Sequence, residues 1–178
     1  ACRECGAADP CNPKSQTGLD DGARQAHLAD ALLYRHWTEY RDGKRVHTFR
    51  LDVASGAVAD LTPGDVDTPP YFYGGRPFSV SPDSQEICVV SKRDPLEAVS
   101  TNVDLFAIPL AGGEARCITA GNPAYDGDPL YSPDGRYIAY RCQKTPGYEA
   151  DRFGLAVYDR QAGTSRVLTE SFDNWVDD

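Results

Sequence analysis

Ser132-Pro133-Asp134-Gly135 followed by Arg136-Tyr137-Ile138-Ala139-Tyr140-Arg141 reads as a tight turn feeding a strand. Proline presets φ at the second turn position, aspartate hydrogen-bonds its own backbone, and glycine supplies positive φ. The same pattern stands 51 residues earlier as Ser81-Pro82-Asp83-Ser84 followed by Glu86-Ile87-Cys88-Val89-Val90-Ser91, with a serine where glycine is usual. A second unit also recurs. Residues 104–110, a Gly112-Gly113 turn and residues 115–119 form one hairpin. Residues 154–159, an Ala162-Gly163 turn and residues 165–169 form another, and residues 48–53, a Ser55-Gly56 turn and residues 58–62 a third. Gly56, Gly113 and Gly163 each precede a closing Leu-Thr or Ile-Thr by the same step, and the hairpins recur at 57 and then 50 residues.

Short strands with frequent turns signal an all-β sandwich, barrel or propeller. A repeating four-stranded unit of roughly 40–50 residues is the size of a propeller blade. The expected fold is therefore all-β: a partial β-propeller of about two to three blades with one N-terminal helix. Each blade is a hairpin after the Ser-Pro-Asp turn plus a second hairpin with its glycine turn. A closed ring needs at least about four blades, so the chain is expected to be a fragment. The absence of methionine and the start at Ala1 fit a processed or excised chain, in which any signal peptide would be hidden.

Upstream of the strands, residues 1–18 are broken by Pro10, Pro13 and Gly18. A helix is expected near residues 19–35, with Asp20 and Asp21 at its dipole-favoured start and Leu28, Leu32 and Leu33 at helical spacing. Residues 40–44 read as a turn. The organisation expected is an irregular segment and helix over 1–37, then incomplete propeller blades over 38–178.

The net charge of −9 argues against nucleic acid as a partner. No apolar run approaches the roughly 20 residues of a membrane span. Cys2, Cys5 and Cys11 lie together, but one Cys-x-x-Cys with a single further cysteine, and His27 the nearest histidine, does not match four-ligand zinc spacing. A local Cys5–Cys11 disulfide fits better, with Gly6 and Pro10 letting the chain turn back, and would imply an oxidising compartment. Cys88, Cys117 and Cys142 read as small buried hydrophobes.

No catalytic, cofactor-binding or metal-binding residue is assigned. No Gly-x-Ser-x-Gly elbow is present. His27, His36 and His47 read as packing or capping residues rather than bases. Asp126-Gly127-Asp128 and Asp134 bring a calcium loop to mind but lack its pattern, and read as turn aspartates. Glu149, Asp151 and Arg152 are expected to form an ion-pair network that stiffens a loop, with a place at a substrate cavity as the alternative. Tyr71, Phe72 and Tyr73, beside Gly74-Gly75, face a ligand or fill space between blades.

Tyr34-Arg35-His36-Trp37 with Asp42-Gly43-Lys44-Arg45, Ser100-Thr101-Asn102-Val103-Asp104-Leu105, Asn122-Pro123-Ala124-Tyr125-Asp126, residues 131–140, residues 146–153 and residues 168–173 together resemble the propeller half of S9 (prolyl-oligopeptidase) serine peptidases, in the dipeptidyl-peptidase/acylaminoacyl-peptidase branch. The likeness runs over about residues 30–176. It implies a parent hydrolase in which a C-terminal α/β-hydrolase domain carries a Ser-Asp-His triad. The propeller there covers the active site and admits short peptides, and this chain alone would be inactive. The paired glutamates that hold a substrate amino terminus in some dipeptidyl peptidases do not occur here as Glu-Glu. The cysteine-containing start resembles secreted bacterial members, implying a periplasmic or secreted address, with a cytoplasmic one as the alternative. The competing function is a stand-alone propeller of Ser-Pro-Asp-Gly repeats, acting as a protein-binding scaffold in the bacterial envelope. A fragment with too few blades is expected to leave apolar blade faces open, through Ile87, Val89, Ile138 and Tyr140 or their counterparts.

Overall fold

A computed structural model of the protein describes residue 29 and residues 32–41, 44–71 and 73–177. Every regular element among them is a strand. Two short hairpins come first: β1 (Arg35–His36) with β2 (Glu39–Tyr40), and β3 (Phe49–Leu51) with β4 (Val58–Asp60). Two four-stranded antiparallel meanders follow. The first is β5 (Phe78–Val80), β6 (Glu86–Ser91), β7 (Asp104–Pro109) and β8 (Arg116–Cys117); the second is β9 (Asp126–Tyr131), β10 (Tyr137–Cys142), β11 (Gly154–Asp159) and β12 (Thr164–Val167). In each meander, strands neighbouring in sequence pair in space.

The Ser-Pro-Asp turns sit inside the first hairpin of each meander, between β5 and β6 and between β9 and β10, rather than ahead of it. Both are built alike. The Ser81 hydroxyl donates to Asp83 at 2.6 Å and accepts from the Glu86 amide at 3.0 Å. Ser132 does the same with Asp134 at 2.5 Å and the Tyr137 amide at 2.9 Å. Ser84 adopts φ 55° and Gly135 φ 70°, so the serine takes the glycine's left-handed conformation and the turn is unchanged. These bonds, the serine hydroxyl's first, hold the Asp83 and Asp134 carboxyls below the usual range.

The closing threonines also have one shared job. Thr62, Thr119 and Thr169 accept, through Oγ1, the amides of Thr48, Leu105 and Leu155 at 2.9, 3.0 and 2.8 Å. The residue before each threonine donates its amide to the carbonyl of that same partner. Each threonine thereby pins the open end of its hairpin.

The period-2 alternation of β6 and β7 buries both faces of the first meander. Cys88, Val90, Leu105 and Ala107 pack against Tyr131, Ile138, Tyr140, Ala156 and Tyr158 of the second meander. Ile87, Val89, Phe106 and Ile108 pack the other way, onto Leu61 from the preceding hairpin. Ile87, Val89, Ile138 and Tyr140, expected on open faces, are instead buried in these layers. Their opposite-parity neighbours on β10 and β11 (Ala139, Arg141, Leu155 and Val157) form the half-exposed outer face.

Most of the expected helix lies outside the described residues. Its last part is corrected: residues 32–34 are irregular and Arg35–His36 is a strand. Trp37, at φ 47°, turns the chain back. The Arg41 amide donates to Tyr34 O and the Arg41 guanidinium to Leu33 O, which ties this stretch to a hairpin. Among the described residues, no helix is long and apolar enough to cross a membrane.

Candidate functional site

β6 and β10 run away from the Ser-Pro-Asp turns, so the loops that follow them, 92–103 and 143–153, lie together at the opposite end. A hydrogen bond from the Gly147 amide to Thr101 Oγ1 joins these loops, and a parallel bridge joins Val103 to Tyr125. At this end a cleft of about 290 Å³ is lined by residues that include Arg41, Tyr71, Tyr73, Lys92, Glu97 and Tyr125.

One wall is a knot of phenols, a carboxylate and a guanidinium. A register shift between β9 and β10 accompanies a left-handed Asp128, at φ 57°. Such an irregularity re-aims a side chain. Here the Asp128 carboxylate accepts from the Arg76 amide at 2.7 Å, from Tyr73 Oη at 3.2 Å and from Arg141 Nε at 2.7 Å. Tyr73 and Tyr125 share a 2.6 Å hydroxyl–hydroxyl bond, and their rings stack. Close approach requires two glycines: a Cβ at Gly75 would collide with the Asp128 carboxylate, and one at Gly127 with both phenol oxygens. Behind this knot, the Arg141 guanidinium lies over Phe153, which meets Tyr125 and Trp175 edge-on. Burial is the main cause that raises the pKa of both phenols, Tyr73 above the ordinary range and Tyr125 to about 12. Both stay protonated hydrogen-bond donors.

The opposite wall is cationic. Arg41 is buried, paired with Asp67 and, at 3.1 Å, with Glu97, and lies over the Tyr71 ring. Lys92 Nζ donates to Ser100 O, and burial lowers its pKa. The cleft thus offers phenol and cation donors with Glu97 as an acidic group, in a chain of net charge −9. Such a surface can bind and orient carbonyl and carboxylate groups. Among the described residues that line it, none is serine, threonine or cysteine.

Asp126 lies beneath this surface, fully buried in β9. Asn122 Nδ2 donates to its Oδ1 at 3.0 Å and to Gln143 O at 2.9 Å, while Asp126 Oδ2 has no hydrogen-bond partner among the described residues. Burial, reinforced by nearby Asp104, pushes the Asp126 carboxyl up to about 8.

The sequence-derived candidates fall out as follows. Of Asp126, Asp128 and Asp134, only Asp134 is a turn aspartate; Asp126 and Asp128 belong to a strand because β9 begins at Asp126. Among the described residues no group of three or more His, Cys, Asp or Glu side chains is placed to hold a metal. The 143–153 loop is stiffened by bonds to backbone. Asp151 accepts the Lys144 and Thr145 amides, Gln143 donates to the carbonyls of Glu149 and Asp151, and Arg152 reaches the carbonyls of Thr169 and Glu170. These bonds replace the expected ion pairs. Tyr71 and Tyr73 line the cleft, and Tyr73 also packs on the core. His47 is clamped between Asp60 and Gly64 O, and His36 stacks on Trp37. Cys88, Cys117 and Cys142 are free thiols, and burial pushes Cys142 up to about 11. Cys2, Cys5, Cys11, His27 and Phe72 lie outside the described residues. The reading of the residues missed the Asp128–Arg141 and Arg41–Asp67 pairs. The signal for the first was the glycine between two aspartates at 126–128.

No protein-family model matches the chain. Curated proteins do. Dipeptidyl-peptidase 5 of Porphyromonas gingivalis is 33% identical over 153 residues, which cover 82% of this chain and 22% of that protein. Dipeptidyl-peptidase 5 of Porphyromonas endodontalis is 33% identical over 135 residues, 70% of this chain and 19% of that protein. A probable dipeptidyl-peptidase 5 of Emericella nidulans is 27% identical over 173 residues, 85% of this chain and 24% of that protein. The chain therefore spans less than a quarter of the length of these relatives. Over most of its own length, it is related to the dipeptidyl peptidases.

Proposed function

We propose that this chain is part of the β-propeller of a periplasmic or secreted serine peptidase of the S9 class that removes dipeptides. In that reading the chain carries no nucleophile, and its cleft is part of the surface that limits and orients peptides entering an active site on an α/β-hydrolase domain. The observation that carries the reading is the meander repeat. Two four-stranded units share one turn chemistry and one threonine lock, stack face to face, and are preceded by a hairpin with the same lock. A two-layer sandwich would leave the outer face of the first meander bare, whereas here Leu61 covers it. The relatives' names supply the reaction class. A Cys5–Cys11 disulfide belongs to the same reading and is checked by thiol labelling before and after reduction.

The test is dipeptide release from chromogenic dipeptidyl anilides. The longer protein containing this chain is expected to release dipeptides and to lose that activity to a serine-directed phosphonate, while residues 1–178 alone release none. A longer protein that binds other envelope proteins and hydrolyses nothing would instead favour the scaffold function.

A further inference from the structure

At the Ser-Pro-Asp end of the meanders, remote from the cleft, a second cavity of about 360 Å³ is lined by Arg116, Asp134, Gly135, Arg136, Arg160 and Gln161. Three guanidiniums, one from β8 and two from separate turns, line it in a chain of net charge −9. Each lies near a tyrosine ring. Arg160 lies 5.2 Å from the Tyr131 ring centre, Arg136 4.9 Å from Tyr137 and Arg116 5.8 Å from Tyr158. Arg160 Nη1 donates to Gly135 O at 2.6 Å and Nη2 to Glu86 at 3.1 Å. Arg136 Nη2 donates to Asp159 at 3.0 Å.

The carboxylates around this cavity are committed. Glu86 Oε1 accepts from both Tyr131 Oη and Arg160. Asp159 accepts from Arg136 and from the amides of Gln161 and Ala162. Asp134 accepts from Ser132 Oγ and the Arg136 amide. Arg116 differs from the other two arginines. Its Nη1 donates to the neutral Tyr158 hydroxyl at 2.7 Å, and among the described residues it has no carboxylate partner. A guanidinium has five N–H donors in a planar fork that matches the two oxygens of a carboxylate.

We propose that this cavity is a carboxylate-binding site anchored by Arg116. Of the three guanidiniums only Arg116 has no carboxylate at ion-pair distance among the described residues, so its fork is open to one carboxylate, and Asp134 on the cavity wall opposes a dianion such as phosphate. Arg136 and Arg160, immobilised by their partners, offer their remaining N–H groups to the same oxygens at little entropic cost. The site is independent of the peptidase reading, since it uses none of the cleft residues.

The test is a titration of the longer protein proposed to contain this chain, 15N-labelled at arginine, with sodium acetate against sodium chloride at equal ionic strength, following the arginine Nε–H signals. A saturable shift of the Arg116 signal with millimolar half-saturation is expected for acetate, and none for chloride. R116Q is expected to weaken binding at least about tenfold, and R116K, which keeps the charge and loses the fork, to fall between. If R116Q does not fold, R116K decides. A dipeptide with a free carboxylate and its amide give the source. Tighter binding of the acid than of acetate assigns peptide carboxyl ends, and equal binding assigns small free carboxylates. Three outcomes overturn the proposal: a linear shift shared with chloride, an unaltered response in both Arg116 variants, or saturable binding of phosphate with none of acetate.

Discussion

Asp126 places a carboxyl in the interior with one oxygen unpartnered, and its energetic consequence has a definite sign. Its ordinary value of 3.8 is raised to about 8 on folding. Between these values the folded state holds the extra proton, so stability falls as pH rises across that window and the loss is complete above it. The slope is on the order of 1.4 kcal/mol per pH unit at its steepest. Asp126→Asn keeps the shape and the Asn122 contact region without the titration. Its denaturant midpoint is expected to change less than that of the parent between pH 5 and pH 8, and to exceed it at pH 8. Parallel pH profiles for the two proteins would show that Asp126 does not titrate in this range. Gly127 is constrained sterically instead. Gly127→Ala must displace the Tyr73 and Tyr125 hydroxyls and is expected to cost about 1–3 kcal/mol in urea unfolding, with a changed near-ultraviolet tyrosine signal.

Within the elements, two local devices recur and each predicts a different substitution effect. Ser84 sits in the left-handed region that Gly135 occupies in the other meander. Ser84→Gly is expected to stabilise by up to about 1 kcal/mol, the relieved strain partly offset by backbone entropy, and a destabilised variant in urea would refute this. Thr119 locks the end of β7 by accepting the buried Leu105 amide. Thr119→Val leaves that donor unsatisfied and is expected to cost about 1–3 kcal/mol, whereas Thr119→Ser is expected to retain most of it. These devices were legible in the sequence because they stay within one turn or one hairpin: Ser-Pro-Asp finds its hydrogen-bond partners within five residues, and each closing threonine bonds across its own hairpin, 14 residues back. The β1–β2 hairpin was not legible, since it turns through Trp37 without glycine or asparagine. The site was legible only in pieces. Tyr73 and Tyr125 stand 52 residues apart and meet because the meanders stack, which no spacing within one strand reveals. In the 143–153 loop the Asp151 and Arg152 side chains, expected in ion pairs, bond backbone groups instead.

For the whole molecule, the ordering of faces matters most. The first meander is covered on both sides, while the second presents an outer face of Ala139, Arg141, Leu155 and Val157, with Leu130 and Leu168 exposed at its margins. Apolar side chains left open on such a face favour association, and stacked repeats draw stability from their neighbours. Residues 1–178 alone are expected to self-associate or to melt broadly, and a sharp melt of a strict monomer would contradict that. The structure of the longer protein containing this chain tests the propeller assignment most directly. The expected result is a further four-stranded meander stacked on the outer face of β9–β12, with β5 and β9 lining one central channel. A bare outer face in that protein, or a β12 edge continuing into one extended sheet, would contradict it.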